Sequence, residues 1–191
     1  MIKIGLTGSV GMGKSTTARV FEKLGCAVWD ADETVRKLYS KGGKAVIEVA
    51  KLFPSSVEND SISRGRLKTL LKDEPKNLKK LEEIVHPLIL RDRQKFQKQA
   101  TSDVAVFDIP LLFETGADKD MDKTICVFTS KRNQMERLKN RNKGYDEYYK
   151  ELISKQMPSD EKCDRADYVI ETTSYTAVEK RVIEILDILR A

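Results

Sequence analysis

Short apolar runs and helix-spaced apolar stripes succeed one another along the first and last thirds of this chain. Ile2-Lys3-Ile4-Gly5-Leu6 is an apolar run of strand length, and Ser15 to Leu24 has helical spacing before Gly25, a residue suited to ending a helix. Cys26 to Trp29 reads as a second short strand, closed by Asp30-Ala31-Asp32. A helix is predicted from there through Leu38, broken at Gly42-Gly43, and another from Lys44 to Leu52 before Pro54. Val104 to Phe107 (ending at Asp108), Thr124 to Phe128 and Tyr168 to Ile170 are three further strands. Thr129 or Ser130 can cap the helix holding Met135 and Leu138, and Thr176-Ala177-Val178-Glu179 has capping-box spacing for a last helix through Leu189. Alternating strands and helices predict an α/β domain, its parallel sheet covered on both faces.

Between Asn59 and Thr101 the texture changes. This stretch is rich in Lys and Leu, with apolar positions at Leu67, Leu70, Leu71, then Leu78, Leu81, Ile84, Val85, then Leu88 and Ile89. Pro75 and Pro87 each stand where a helix can begin, so about three helices are expected here. The lysines 68, 72, 76, 79 and 80 read mostly as a solvated face. Arg141 to Lys162 is highly polar without a long apolar face, the pattern of a mobile surface segment.

Composition narrows the class. The chain has 191 residues, room for one domain with an insertion, and is 34% charged and 40% apolar, as a globular protein is. A net charge of +5 suits an anionic ligand but is weak for a dedicated nucleic-acid binder. No apolar run approaches the roughly 18 residues of a membrane span. Glycines from Gly5 to Gly13 break any signal-peptide core. Cys26, Cys126 and Cys163, with His86 the only histidine, make neither a disulfide framework nor a zinc site, so a cytoplasmic protein is expected.

Gly8-Ser9-Val10-Gly11-Met12-Gly13-Lys14-Ser15 fits the phosphate-binding P-loop pattern Gly-x-x-x-x-Gly-Lys-Ser without a mismatch. Glycines let successive backbone N–H groups converge on an anion, and the following helix adds the positive end of its dipole. Gly8, Gly11, Met12, Gly13, Lys14, Ser15 and Thr16 are the expected contacts to a nucleoside triphosphate. Lys14 reaches the β- and γ-phosphates, and the Ser15 hydroxyl holds Mg2+. A GTPase is disfavoured: Asp108 is followed by no Asp-x-x-Gly pattern, and Asn142-Lys143-Gly144-Tyr145 lacks its aspartate by one place.

With these, Gly5-Leu6-Thr7-Gly8, Asp30-Ala31-Asp32, His86-Pro87, Asp108-Ile109-Pro110-Leu111-Leu112-Phe113-Glu114, Gln134 to Arg137 and Ala166-Asp167-Tyr168-Val169-Ile170 resemble the dephospho-coenzyme A kinase family, in order, over nearly the whole chain. The resemblance implies a five-stranded parallel sheet in the order 2-3-1-4-5 in a single P-loop kinase domain over 1–191. It further implies a helical substrate-binding subdomain at 33–101 and a lid at 141–162. The implied reaction is transfer of the γ-phosphate of ATP to the ribose 3′-hydroxyl of dephospho-coenzyme A, the last step of coenzyme A synthesis. The expected enzyme is a monomer without nucleic-acid or membrane partner. Asp32 becomes the expected catalytic base, with Asp30 in support, although an aspartate there can equally cap the next helix. Arg141 matches the lid arginine, Arg64, His86 and Leu111 are expected on the acceptor side, and Asp108 either there or orienting the magnesium waters. His86 can instead be a capping or core residue, Trp29 reads as core, and Arg137 is structural or a nucleotide contact. Two positions depart from the family pattern: Glu171-Thr172-Thr173 where an asparagine is common, and Lys72 where phenylalanine is. The alternatives are another P-loop nucleoside or small-molecule kinase, a non-catalytic ATP-dependent switch, or a basic nucleic-acid binder, the last weakened by the lack of interleaved aromatics.

Overall fold

The computed structural model describes residues 1–74, 76–141, 153–154 and 156–191, without the side chains of Asp73 and Arg141. In chain order the elements are β1 (Ile2–Thr7), α1 (Lys14–Lys23), β2 (Ala27–Asp30), α2 (Ala31–Tyr39), α3 (Val46–Leu52), β3 (Val57–Glu58), β4 (Ser61–Ile62), α4 (Arg64–Asp73), α5 (Lys76–Gln99), β5 (Val104–Asp108), β6 (Lys123–Phe128), α6 (Lys131–Arg141), α7 (Ser159–Arg165), β7 (Tyr168–Glu171) and α8 (Tyr175–Arg190). Five strands form one sheet in the order β2-β5-β1-β6-β7, with β1 parallel to β5 and β6, and β6 parallel to β7. Counted among themselves they run 2-3-1-4-5, as expected.

The chain divides into two compact units, 1–29 with 100–191, and 30–99. In the first, every residue of β5 is buried, because a central parallel strand is covered on both faces. Ile4, Leu6, Val20, Phe21, Ile125, Val127 and Ile170 share one core with Val178, Val182, Ile185 and Leu186 of α8, whose spacing is that of a single helix face. Gly25 ends α1 as expected, with φ 87° and the Cys26 N–H returning to the Phe21 carbonyl at 3.1 Å. Trp29 is core, its ring tilted against Phe107 at 6.1 Å. Cys126 and Cys163 have their sulfurs 3.3 Å apart as free thiols, and burial pushes both above the ordinary thiol value. Such thiols are poor nucleophiles.

The second unit has its own core, built on Leu38, Ala45, Val49, Phe53, Ile62, Leu67, Leu81 and Val85. Here the structure corrects the sequence reading twice. Asn59 and Asp60 are the left-handed pair of a two-residue turn, φ 50° and 60°, joining β3 and β4 into a small hairpin at the start of the predicted helical stretch. Pro87 starts no helix but sits inside α5, which runs unbroken from Lys76 to Gln99. The ring removes one backbone hydrogen bond, a loss of about 3 kcal/mol in an isolated helix. Packing of Leu81, Ile84, Val85, Leu88 and Ile89 on both sides of it holds the helix through. Two described helices therefore stand where three were expected; the other expected start, Pro75, lies outside the described residues. Lysines 68, 72, 76, 79 and 80 are exposed.

Two more corrections concern helix ends and the polar stretch. The cap of α8 is Ser174, whose hydroxyl accepts the Ala177 N–H at 3.1 Å, two residues before the predicted Thr176. Ser130 is the residue that caps α6, accepting from Asn133 N–H at 3.2 Å. The expected mobile segment 141–162 is not surface throughout: Lys162 is fully buried within α7. Among the described residues no helix is long and apolar enough to cross a membrane.

Candidate active site

The loop from Gly8 to Gly13 joins β1 to α1 at the carboxyl end of the sheet's central strand, where parallel sheets bind ligands. Two of its glycines are dictated by space. A Cβ on Gly8 would lie 2.5 Å from Val127 Cγ2 and 2.7 Å from the Val127 carbonyl oxygen. Gly13 holds φ 94° as the N-cap of α1, and a Cβ there would meet Thr172 Oγ1 at 2.9 Å. Met12 turns its side chain into the core, so only its backbone faces a ligand, and its sulfur accepts the Thr129 N–H at 3.2 Å. Ser15 and Thr16 are exposed in the first turn of α1, and neither hydroxyl is engaged among the described residues.

The Lys14 ammonium pairs with the Asp108 carboxylate, which ends β5 and is 1% exposed. β5 lies beside β1 with Leu6 opposite Asp108, so sheet register delivers this carboxylate next to the loop. The residues after Asp108 pack inward: Ile109, Leu112 and Phe113 are buried, whereas Leu111 is 40% exposed. The Pro110 carbonyl accepts from Thr7 Oγ1 at 3.1 Å and from Lys162 Nζ at 2.7 Å. Lys162 also pairs with Glu114 at 2.8 Å, and Glu114 accepts the Met157 N–H at 2.9 Å. Burial alone would raise the Glu114 carboxyl, but the Lys162 ammonium and the Met157 N–H outweigh it and hold the group below its ordinary value. The Arg165 guanidinium stands over the Phe113 ring at 4.6 Å.

Behind the loop, Gln134 Nε2 donates to the Val10 carbonyl at 2.7 Å and Ser159 Oγ meets Ser9 Oγ at 2.8 Å. Arg137 donates to both the hydroxyl and the carbonyl of Thr172, which makes it structural here. Thr172 Oγ1 in turn reaches the Met12 carbonyl at 2.7 Å. None of Gln134, Thr172, Glu114 or Lys162 was singled out from the sequence for this work. A carboxylate closing the apolar run Ile109 to Phe113 was the one legible hint.

The remaining expected residues lie in the second unit. Asp30, not Asp32, is the cap of α2, its carboxylate accepting the Glu33 N–H at 2.9 Å. Asp32 is one turn position further on, exposed, with no partner among the described residues. Arg64 is exposed at the start of α4. His86 is exposed in the middle of α5, neither a cap nor part of the core. The Arg141 side chain and residues 142–152 and 155 of the expected lid lie outside the described residues.

The donor set suits magnesium bound with a nucleotide. Mg2+ takes one or two protein oxygens and completes its shell with phosphate and water. The unengaged Ser15 hydroxyl and the buried Asp108 carboxylate supply that kind of donor beside the loop.

Known proteins similar to this chain in sequence and fold agree with one another. The family model described as dephospho-CoA kinase matches residues 2–177. The dephospho-CoA kinase of Ruegeria pomeroyi is 46% identical over 189 residues, covering 99% of this chain and 96% of that protein. The one from Jannaschia is 44% identical over 184 residues, covering 96% and 94%. A crystal structure of a Thermus thermophilus protein superimposes with a TM-score of 0.87 at 31% identity, over 97% of this chain and 95% of that one. With a family model and relatives of this similarity spanning nearly its full length, the chain belongs to the dephospho-CoA kinase family.

Proposed function

We infer that the protein transfers the γ-phosphoryl group of ATP to the ribose 3′-hydroxyl of dephospho-coenzyme A, and that its P-loop, Lys14, Asp108 and Asp32 do the work. The observation that carries this reading is the Lys14–Asp108 pair beside a complete P-loop in a member of this family. Phosphoryl transfer asks for positioning and charge neutralisation more than covalent chemistry. The N–H groups of Gly11, Gly13, Lys14, Ser15 and Thr16 cradle the phosphates. Lys14 exchanges its Asp108 partner for phosphate oxygens when ATP arrives. Magnesium, when bound, neutralises charge on the β- and γ-phosphates; Ser15 and Asp108 are the residues that hold it.

Asp32 accepts the proton of the 3′-hydroxyl as the new O–P bond forms and the bond to the β-phosphate oxygen breaks, releasing ADP. Its lack of any partner among the described residues leaves the carboxylate available for that proton. Asp30 supports it by fixing the start of α2. Residues 33–101, with Arg64 and His86, and Leu111 of the first unit receive the acceptor. Arg141 stabilises the charge that develops on the transferring group, as the arginine of the lid expected at 141–162. The enzyme acts as a monomer in the cytoplasm.

Incubation with ATP, Mg2+ and dephospho-coenzyme A, followed by mass detection, is expected to show the acceptor gaining one phosphate. No gain on this acceptor, with phosphate appearing on a nucleoside or another alcohol, would overturn the reading.

A further inference from the structure

A P-loop binds phosphate with N–H groups, so its carbonyls must face away from the anion. Across a trans peptide the C=O of one residue and the N–H of the next point in opposite directions. Holding a carbonyl from behind therefore aims the following N–H forward. The Val10 carbonyl, held by Gln134 Nε2 at 2.7 Å, shares its peptide plane with the N–H of Gly11. The Met12 carbonyl, held by Thr172 Oγ1 at 2.7 Å, shares its plane with the N–H of Gly13. Neither glycine N–H has an acceptor among the described residues. Both planes end in glycine, the residue least able to resist a flip by itself.

Thr172 is built for this task. It is 4% exposed, and its side chain fills the space over Gly13 that a Cβ would occupy. Arg137 Nη1 donates to its hydroxyl oxygen at 2.8 Å, and a second guanidinium nitrogen bonds its carbonyl. With a donor on its lone pair, the hydroxyl turns its single proton toward a carbonyl. Met12 O at 2.7 Å is nearer than Phe128 O at 3.2 Å.

We propose that Thr172, oriented by Arg137, and Gln134 are positioning residues that hold the Gly11 and Gly13 N–H groups in their phosphate-binding directions before nucleotide arrives. The proposal rests on the reading that this loop binds ATP. It assigns to these side chains a share of ATP affinity and none of the acceptor's.

The test is ATP binding by titration calorimetry, with the KM for each substrate, on the wild type, Thr172→Val, Thr172→Ser and Gln134→Leu. Losing one such hydrogen bond is expected to weaken ATP binding roughly tenfold in Thr172→Val and in Gln134→Leu. The KM for dephospho-coenzyme A stays unchanged, and Thr172→Ser, which keeps the hydroxyl, restores ATP affinity. Wild-type ATP affinity in Thr172→Val would overturn the proposal, as would equal losses for both substrates or no rescue by serine. If Thr172→Val does not fold, Gln134→Leu decides alone, and unchanged ATP affinity there overturns it. A wild-type protein that fails to bind ATP would instead refute the functional reading itself.

Discussion

Replacing Glu114 by alanine is expected to destabilise the protein far more than replacing its partner Lys162 by methionine. The two share one ion pair at 2.8 Å, but their surroundings differ: Lys162 is 0% exposed and Glu114 20%. Without Lys162, the carboxylate still accepts the Met157 N–H and still reaches water, and the Pro110 carbonyl keeps the Thr7 hydroxyl. The loss is then close to that of one hydrogen bond to a charged group, about 1.5–3 kcal/mol, partly recovered by methionine packing. Without Glu114, a fully buried ammonium keeps, among the described residues, only the Pro110 carbonyl. Stranding a buried charge costs about 3–5 kcal/mol.

At roughly 2–4 °C per kcal/mol for a chain of this size, Glu114→Ala lowers Tm by about 6–20 °C. In the wild type the folded Glu114 pKa lies below its ordinary 4.5. Its contribution is therefore complete above that value and is lost as pH falls through the folded pKa. Thermal unfolding followed by circular dichroism reads all of these, with Glu114→Ala/Lys162→Met as the double variant. Equal losses in the two single variants, or losses that simply add in the double, would refute the reasoning.

Lys14→Ala should lower turnover by at least about a hundredfold, since it removes charge from the developing transition state, with near wild-type turnover excluding the P-loop role. Asp32→Asn should lower kcat by ~10²–10⁴-fold and leave ATP affinity unmoved, because it removes the proton acceptor alone; unchanged kcat would eliminate the base. Asp30→Ala should cost about 1 kcal/mol in thermal melts and Asp30→Asn almost nothing, as for a helix cap, and equal losses would contradict the cap. Arg141→Ala should reduce kcat more than ATP affinity in steady-state and binding assays, whereas equal losses would mean plain ground-state binding.

What the sequence made legible is what local rules control. Ile2–Leu6, Val104–Phe107, Thr124–Phe128 and Tyr168–Ile170 read as strands because apolar runs of that length are too short for a buried helix, and the P-loop could be read because the left-handed backbone at Gly11 and Gly13, φ 80° and 94°, is needed by the loop itself. Misreadings arose where a local signal had two physical outcomes. A proline suits a helix start and can also be carried inside a helix, and only the stripe continuing through Leu88 and Ile89 decides between them at Pro87. Asp30 and Asp32 are both good caps by type, and α2 begins two residues earlier than the choice of Asp32 would require. Ser174 takes the cap from Thr176 for the same reason.

The supports of the site obey no local rule. Lys162 stands in Asp160-Glu161-Lys162-Cys163-Asp164-Arg165, a stretch as polar as any solvated helix, and becomes buried because Glu114 and Pro110 arrive from another part of the chain. Thr172, where the family pattern favours an asparagine, shows its use only once the end of β7 lies against Gly13. The P-loop thus divides into two halves of different legibility. Its N–H donors are written in consecutive residues, since adjacent peptides must converge on one anion. Its carbonyls are held by Gln134 on α6 and Thr172 after β7, two side chains that nothing but the fold brings together. A sequence motif can specify the loop that receives a phosphate, while the force that keeps it open is distributed over strands and helices packed behind it.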